Sequence, residues 1–357
     1  MTSLFERWKG RFSAGFVLAF HDIRSERLAE LVDALSPAQI VPLTDLVERS
    51  KKGKSTAGLF AITLDDGIGN TVRDLAGLFQ QRGWPGTFYI STDYIDGSDG
   101  LSFQWWRNLV PFLPRRKVRL ESREFDLSLP GAVNRLSREM EWMWHSRRQE
   151  AYMSLTMDLV DLVLREHELD IAAIRPPESI SWPEVMQLSR DPLISFESHG
   201  VSHTAMSALT DSELEAEMKH SRDLIASYTG RACRHFAYPF GSDRSIGPRA
   251  VSAAQRFYDS AVTMSLGNVD FAHPWLLPRI PLYTANHGWF ARLKLLSTYP
   301  SRHKQAGGLP AGSVTIDGHG EPCSENLHLG VEAETSSHVR KSTNSACISF
   351  GNPTEGA

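Results

Sequence analysis

Short apolar runs recur along the chain, separated by longer amphipathic or polar stretches. They are GFVLAF (15–20), GLFAITL (58–64), GTFYIS (86–91), LISFES (193–198), RHFAYP (234–239), SAVTM (260–264) and LLPRIPLY (276–283). Rich in Phe, Ile, Val and Tyr and without polar alternation, they have the pattern of strands buried on both faces. Helices with legible ends lie between them. Thr210 and Glu213 form a capping-box pattern ahead of Leu214, Met218, Ile225 and Tyr228, and Gly230 closes that segment. Strand alternating with helix predicts an α/β fold with a mostly parallel sheet, open or closed into a barrel. In either form the chemistry gathers at the C-terminal ends of the strands.

Two segments interrupt the rhythm. From about residue 101 to residue 181 runs an insertion that opens FQWWRNLV and continues as a helical stretch, NRLSREMEWMWHSRRQEAYMSLTMDLVDLVLREHEL. Trp and Met at helical spacing there predict core packing. Trp105 and Trp106 have the alternative of a sugar-stacking platform, because aromatic faces pack on the apolar faces of pyranose rings. Beyond residue 300 Ser, Thr, Gly, His, Asn and Glu dominate, and Phe350 is the only aromatic. The expected division is a folded domain over 1–300 and a low-order tail over 301–357, which has too little apolar surface to offset its ordering entropy.

Composition narrows the classes. A hydrophobic fraction of 41% over 357 residues is ample for a sizeable core. A formal charge of −4 argues against a broad basic surface for nucleic acid. Cys233, Cys323 and Cys347 are far apart and odd in number, so neither a disulfide framework nor a zinc ribbon is implied. The N-terminal stretch is charged, and its apolar run FVLAF is too short for a signal-peptide core. No stretch reaches the length of a membrane span, so a soluble, cytoplasmic protein is the expectation.

The candidate chemistry lies at two strand ends. AITLDDGIGN (61–70) closes an apolar run with the adjacent carboxylates Asp65 and Asp66. Asp-Gly is a common turn dipeptide, which is the plainer reading. FESHGVSHTAMSALT carries His199 and His203, four apart after another apolar run. On a helical turn such residues share a face, so both imidazoles reach one ion. Gly200 stands where a zinc protease of the His-Glu-x-x-His type has glutamate, which counts against that class. Together the two stretches make a stronger signal. One Asp completes a His-His-Asp ligand set whose ion offsets the crowded carboxylates, and the other is free to act as base.

These residues carry a resemblance. ITLDDG resembles the Thr-Phe-Asp-Asp-Gly signature of the polysaccharide deacetylases (carbohydrate esterase family 4), with Leu64 for Phe. SHGVSH is similar to their His-Thr-x-x-His motif, with Gly200 for Thr, and FAYPFG (236–241) to the Tyr-Pro-x-Gly form of the third motif. LLPRIPL (276–282), FHDI (20–23) and ISTDYIDG resemble segments found in some branches. The resemblance spans about Gly15 to Tyr283 outside the insertion. It implies a distorted (β/α) barrel with the site at its mouth and one divalent metal ion, zinc the first expectation. Asp66, His199 and His203 would hold the ion, and Asp65 would be the general base toward a water it activates. Tyr238, Pro239 and Phe240 of the third motif would contact substrate. The implied reaction removes N-acetyl or O-acetyl groups from a poly- or oligosaccharide of cell-wall or exopolysaccharide type.

The sequence departs from the pattern in two places. Many members have Arg at the start of the third motif; here it is Ala237, and Arg279 is the candidate replacement from another strand. The late Leu-x-His motif has no match, which leaves the general acid among His21, His287 and His319, the last within GSVTIDGHG (312–320). These departures motivate an alternative: a carbohydrate-binding or scaffold protein that keeps the barrel without turnover. A hydrolase of another ester or amide on the same scaffold is a third reading.

Overall fold

A computed structural model describes residues 14–282, apart from 37, 96–101, 114–116, 121–122, 146–148 and 268–272. The tail over 301–357, with His319, and also His287, Cys323 and Cys347, lie outside the described residues.

In chain order the described elements begin with β1 (Phe16–Phe20), α1 (Ser25–Asp33), β2 (Gln39–Ile40), α2 (Leu43–Lys51), β3 (Leu59–Leu64), α3 (Gly69–Arg82) and β4 (Gly86–Ile90). A short α4 (Thr92–Ile95) follows β4, and then the insertion: α5 (Ser102–Leu109), a β5–β6 hairpin (Lys117–Leu120, Arg123–Asp126), α6 (Ala132–His145) and α7 (Gln149–His167). The remainder is α8 (Trp182–Leu188), β7 (Ile194–Ser198), α9 (Asp211–Thr229), β8 (His235–Ala237), α10 (Asp243–Phe257), β9 (Ser260–Val262) and β10 (Ile280–Pro281).

The main sheet has the order β10-β1-β3-β4-β7-β8-β9, with β2 beside β3. Its pairings are parallel. The last apolar run joins the two edges. Leu277 bridges to Val262 of β9, and Ile280 pairs with Leu18 of β1. The expected barrel of β/α units is therefore the observed fold.

Alternation along each strand sorts the side chains. Phe16, Leu18 and Phe20 of β1, Phe60, Ile62 and Leu64 of β3, and Phe88 and Ile90 of β4 face outward into a core shared with the helices. Val17, Ala61, Tyr89, Ala237, Val262 and Leu277 form a separate inner cluster. Small residues such as Ala61 and Ala237 leave room inside the barrel for larger side chains.

α9 has the ends expected of it. Thr210 caps it with Glu213 in a capping box, and Gly230 at φ 66° terminates it. The insertion has its own apolar cluster, in which Trp105 and Trp106 are buried with Leu136, Met140, Tyr152 and Val160. The indole N–H of Trp106 donates to Ser137 Oγ at 3.3 Å. Both rings are packing residues and not a sugar platform. The β5–β6 hairpin is not among the predicted elements: its strands, KVRL and REFD, are together mostly charged and carry no apolar run. Among the described residues no helix is long and apolar enough to cross a membrane.

Candidate metal centre

The site is built at the C-terminal ends of β3 and β7, beside the segment that joins the barrel edges. Alternation along β3 puts Ala61, Thr63 and Asp65 on the inner face. The backbone then turns sharply, with Asp66 at φ 77° and Gly67 at φ 69°. Left-handed backbone at a non-glycine residue is strained and persists only where its surroundings demand it, and Asp is among the few residues that tolerate it. The turn directs Asp66 toward the histidines. Its Oδ1 lies 3.7 Å from His199 Nε2 and 3.5 Å from His203 Nε2. One ligand atom from each of these three residues lies within 4.8 Å of the others, and all three residues are buried.

The helical geometry expected for His199 and His203 is not what brings them together. Residues 199–205 are a loop, with Gly200 at φ 83° and His203 at φ 57°. The two rings meet edge to face, their centroids 4.8 Å apart. Alternation along β7 turns His199 inward, like Glu197, and its Nδ1 donates to Ala237 O at 2.7 Å. That bond fixes the tautomer and leaves Nε2 as an acceptor aimed at the cluster. Burial lowers the His199 pKa to about 4, so the imidazole is neutral at physiological pH.

The donor set fits a divalent transition metal. Two neutral imidazoles and a carboxylate suit zinc and its neighbours. Asp66 Oδ1 is buried and accepts no hydrogen bond among the described residues, an arrangement that is costly unless a cation satisfies it. Burial pushes the Asp66 carboxyl upward, yet the imidazoles of His203, His21 and His199 outweigh burial and hold it below the ordinary carboxylate range.

Asp65 is engaged differently. Arg279, fully buried, grips it with two parallel bonds, Nη1 to Oδ1 at 2.7 Å and Nη2 to Oδ2 at 2.6 Å. The guanidinium is itself fixed by Thr63 Oγ1 at 3.1 Å and by the Thr263 carbonyl, which accepts from Nε at 3.0 Å. Such fork-to-fork pairs are the strongest and most directional ion pairs. Burial pushes the Asp65 carboxyl up, but Arg279 first and then His199 and His21 outweigh it, so it stays ionised. Thr63 belongs to the ITLDDG stretch but has no role assigned from the sequence, although a Thr two residues before Asp65 in an apolar strand must share its face.

His21 follows β1, and its Nε2 is 3.9 Å from Asp65 Oδ2. Its side chain is 35% exposed, so it stands where the buried cluster opens to solvent. The third motif divides. Tyr238 is buried in the outer core, and its hydroxyl donates to Trp275 O at 3.0 Å. Alternation along β8 turns its ring away from the Asp66–His199–His203 cluster, so the ring is a packing residue and not the expected contact at the barrel mouth. Pro239 is buried as well. Phe240 is half-buried, with its ring edge to face against His203 at 4.8 Å and packed on the insertion's cluster.

A mostly parallel β/α barrel with Asp-Asp-Gly after β3 and His-x-x-x-His after β7, one strand apart in the sheet, is the architecture of a class of carbohydrate deacetylases. The chain belongs to the polysaccharide deacetylase family, whose profile matches residues 52–257. Its fold is similar to that of the deacetylase PplD of Streptococcus pyogenes, solved in complex with acetate. That match has 13% identity and a TM-score of 0.50, over 80% of this chain and 98% of that one. A de-N-acetylase from Aggregatibacter actinomycetemcomitans matches at 12% identity and TM-score 0.49, over 78% of this chain and 99% of that one. No curated protein matches the chain.

Proposed function

We propose that the chain is a metal-dependent deacetylase that removes N-acetyl groups from a poly- or oligosaccharide. Asp66, His199 and His203 would hold the ion, Asp65 would be the general base and His21 the general acid. The observation that carries this reading is the division of labour between adjacent carboxylates. Asp66 offers an unsatisfied oxygen to two imidazoles, while Asp65 is locked in ionised form by Arg279. A divalent ion at the cluster supplies Lewis-acid polarisation of the acetyl carbonyl and acidifies a water.

The chain's own groups account for the proton traffic. Each Asp65 oxygen accepts one bond from Arg279 and keeps a second lone pair for an incoming proton. Arg279 keeps the carboxylate ionised and fixes its plane. His21, partly exposed beside Asp65, would donate a proton to the leaving amine. Ala237 in place of the motif Arg is one of the two grounds for the non-catalytic alternative, the unmatched late histidine being the other. Arg279 fills that vacancy from the barrel-closing segment, which favours turnover.

The test is acetate release from chitooligosaccharides, an N-acetylglucosamine polymer, peptidoglycan and acetylxylan, with divalent metal supplied. Release from an N-acetylated glycan supports the reading. Sugar binding with no acetate from any of the four would favour the scaffold protein. Metal analysis should find about one ion per chain, with His199→Ala and His203→Ala each strongly depleted. Full occupancy in both variants would remove the proposed site.

His21 and the tail's His319 are separable as acid candidates, and His287→Gln tests the third. His21→Gln is expected to lower turnover about 10²- to 10⁴-fold with the ion still bound, the usual range for a lost general acid. A chain ending at residue 300 should keep both metal and activity. If truncation abolishes acetate release and His21→Gln does not, the acid lies in the tail, with His319 the candidate.

A further inference from the structure

The loop that carries both imidazoles is tied down by a residue outside every motif. Glu217, on α9, accepts three hydrogen bonds from that loop. Val201 N–H reaches Oε2 at 2.6 Å, Ser202 N–H reaches the same oxygen at 3.1 Å, and the Ser202 hydroxyl donates to Oε1 at 2.6 Å. Ser202 Oγ also meets Thr204 Oγ1 at 2.6 Å, so the network brackets His203 on both sides. From the other direction Thr92 N–H and Asp93 N–H donate to the carbonyls of Gly200 and Val201 at 3.2 and 3.0 Å. The helix behind Glu217 is firm. Leu214 and Met218, on either side of it in sequence, are buried, and the Tyr258 hydroxyl donates to Met218 O at 2.6 Å.

The backbone explains why such a tie is needed. Gly200 and His203 both have left-handed φ, 83° and 57°. For His203 this is a strained conformation that its surroundings must impose. At Gly200 any side chain would place its Cβ 2.9 Å from Glu217 Oε2. The carboxylate occupies the room that the glycine leaves. Gly200, which stands where the resembling motif has Thr, and Glu217 are thus complementary parts of one arrangement. Charge-assisted bonds from backbone N–H groups to a carboxylate are among the stronger ones available.

We propose that Glu217 is a positioning residue of the metal centre. It holds residues 200–204 in the shape that brings His203 Nε2 alongside His199 Nε2 at Asp66 Oδ1. His199 is oriented independently through Ala237 O, so loss of Glu217 acts chiefly on His203. This proposal rests on reading the Asp66–His199–His203 cluster as a metal site.

The experiment is competition for Zn²⁺ between a chromophoric chelator and the full chain, as wild type, E217Q and E217A. E217A should bind Zn²⁺ about ten- to a hundred-fold more weakly, the usual effect of removing an outer-sphere support. E217Q, whose amide oxygen still accepts from the two N–H groups, should recover most of the affinity. Amide hydrogen exchange on the metal-free proteins gives a second readout. Val201 and Ser202 should exchange faster in E217A while the strands keep wild-type protection. Unchanged Zn²⁺ affinity and unchanged exchange at Val201 and Ser202 in E217A would overturn the proposal. If E217A does not fold, Ser202→Ala carries the comparison, with a few-fold loss of Zn²⁺ affinity and faster exchange at Val201 expected, and unchanged affinity and exchange in that variant overturning the proposal. A wild-type chain that binds no Zn²⁺ would instead refute the metal reading, and hydrogen exchange would still report whether Glu217 holds the loop.

Discussion

Asp65→Asn is expected to abolish acetate release while the ion stays bound. The amide cannot take a proton, and general base catalysis of this kind is worth about 10²- to 10⁴-fold. The substitution also breaks the fork with Arg279. An Asn side chain offers one acceptor oxygen where the guanidinium now meets two, so one Nη loses its bond to residue 65. The orienting effect is lost with the basicity, and turnover should sit at the upper end of that range or beyond. The checks are acetate assay and metal analysis on one preparation. Wild-type turnover in Asp65→Asn would exclude Asp65 as base; loss of the ion would make it a ligand.

Arg279→Met should have the largest effect on stability. Arg279 is fully buried, and its removal leaves the Asp65 carboxylate in the barrel without a counter-charge. Breaking a buried pair by deleting one partner costs about 3–5 kcal/mol. The Thr263 carbonyl loses its donor too. Denaturant unfolding of the metal-free protein measures the loss, and a change under about 1 kcal/mol would contradict the account. Arg279→Lys keeps the charge but not the fork, and should fall between Met and wild type.

The pair also sets an acid limit on stability. Because Asp65 is held below its ordinary pKa of 3.8, the folded state binds its proton less readily than the unfolded chain. The pair's contribution is therefore complete above that ordinary value and is lost as pH falls below it. Arg279→Met should remove this part of the acid transition.

The strands were legible because this barrel is buried on both faces, so that runs such as FVLAF and LFAITL stand out as unbroken apolar blocks. The β5–β6 hairpin was not, since its four-residue strands contain no unbroken apolar block: Lys117 and Arg119 alternate with Val118 and Leu120, and Arg123, Glu124 and Asp126 make the partner mostly charged. Side-chain pairing across the barrel was legible only as a candidate. Arg279 and Asp65 are 214 residues apart in sequence, and nothing local to LLPRIPL states which carboxylate it meets. His-x-x-x-His pointed to two residues that the structure brings together, but with the wrong geometry, because a left-handed non-glycine such as His203 leaves no trace in the sequence. Gly200 was the available hint that the loop is not helical, and with it that something presses on the backbone there. Tyr238 shows the converse: its place in a motif suggested substrate contact, while alternation along β8 sends its ring outward.

The claim on which the rest depends is that the Asp66–His199–His203 cluster holds an ion required for deacetylation. The most direct measurement is acetate release from an N-acetylglucosamine polymer by the full chain, first stripped with chelator and then titrated with Zn²⁺. The account predicts no release from the stripped protein and recovery that saturates at about one ion per chain, with none recovered in His203→Ala. Release that persists after stripping, at the same rate in wild type and His203→Ala, would contradict it.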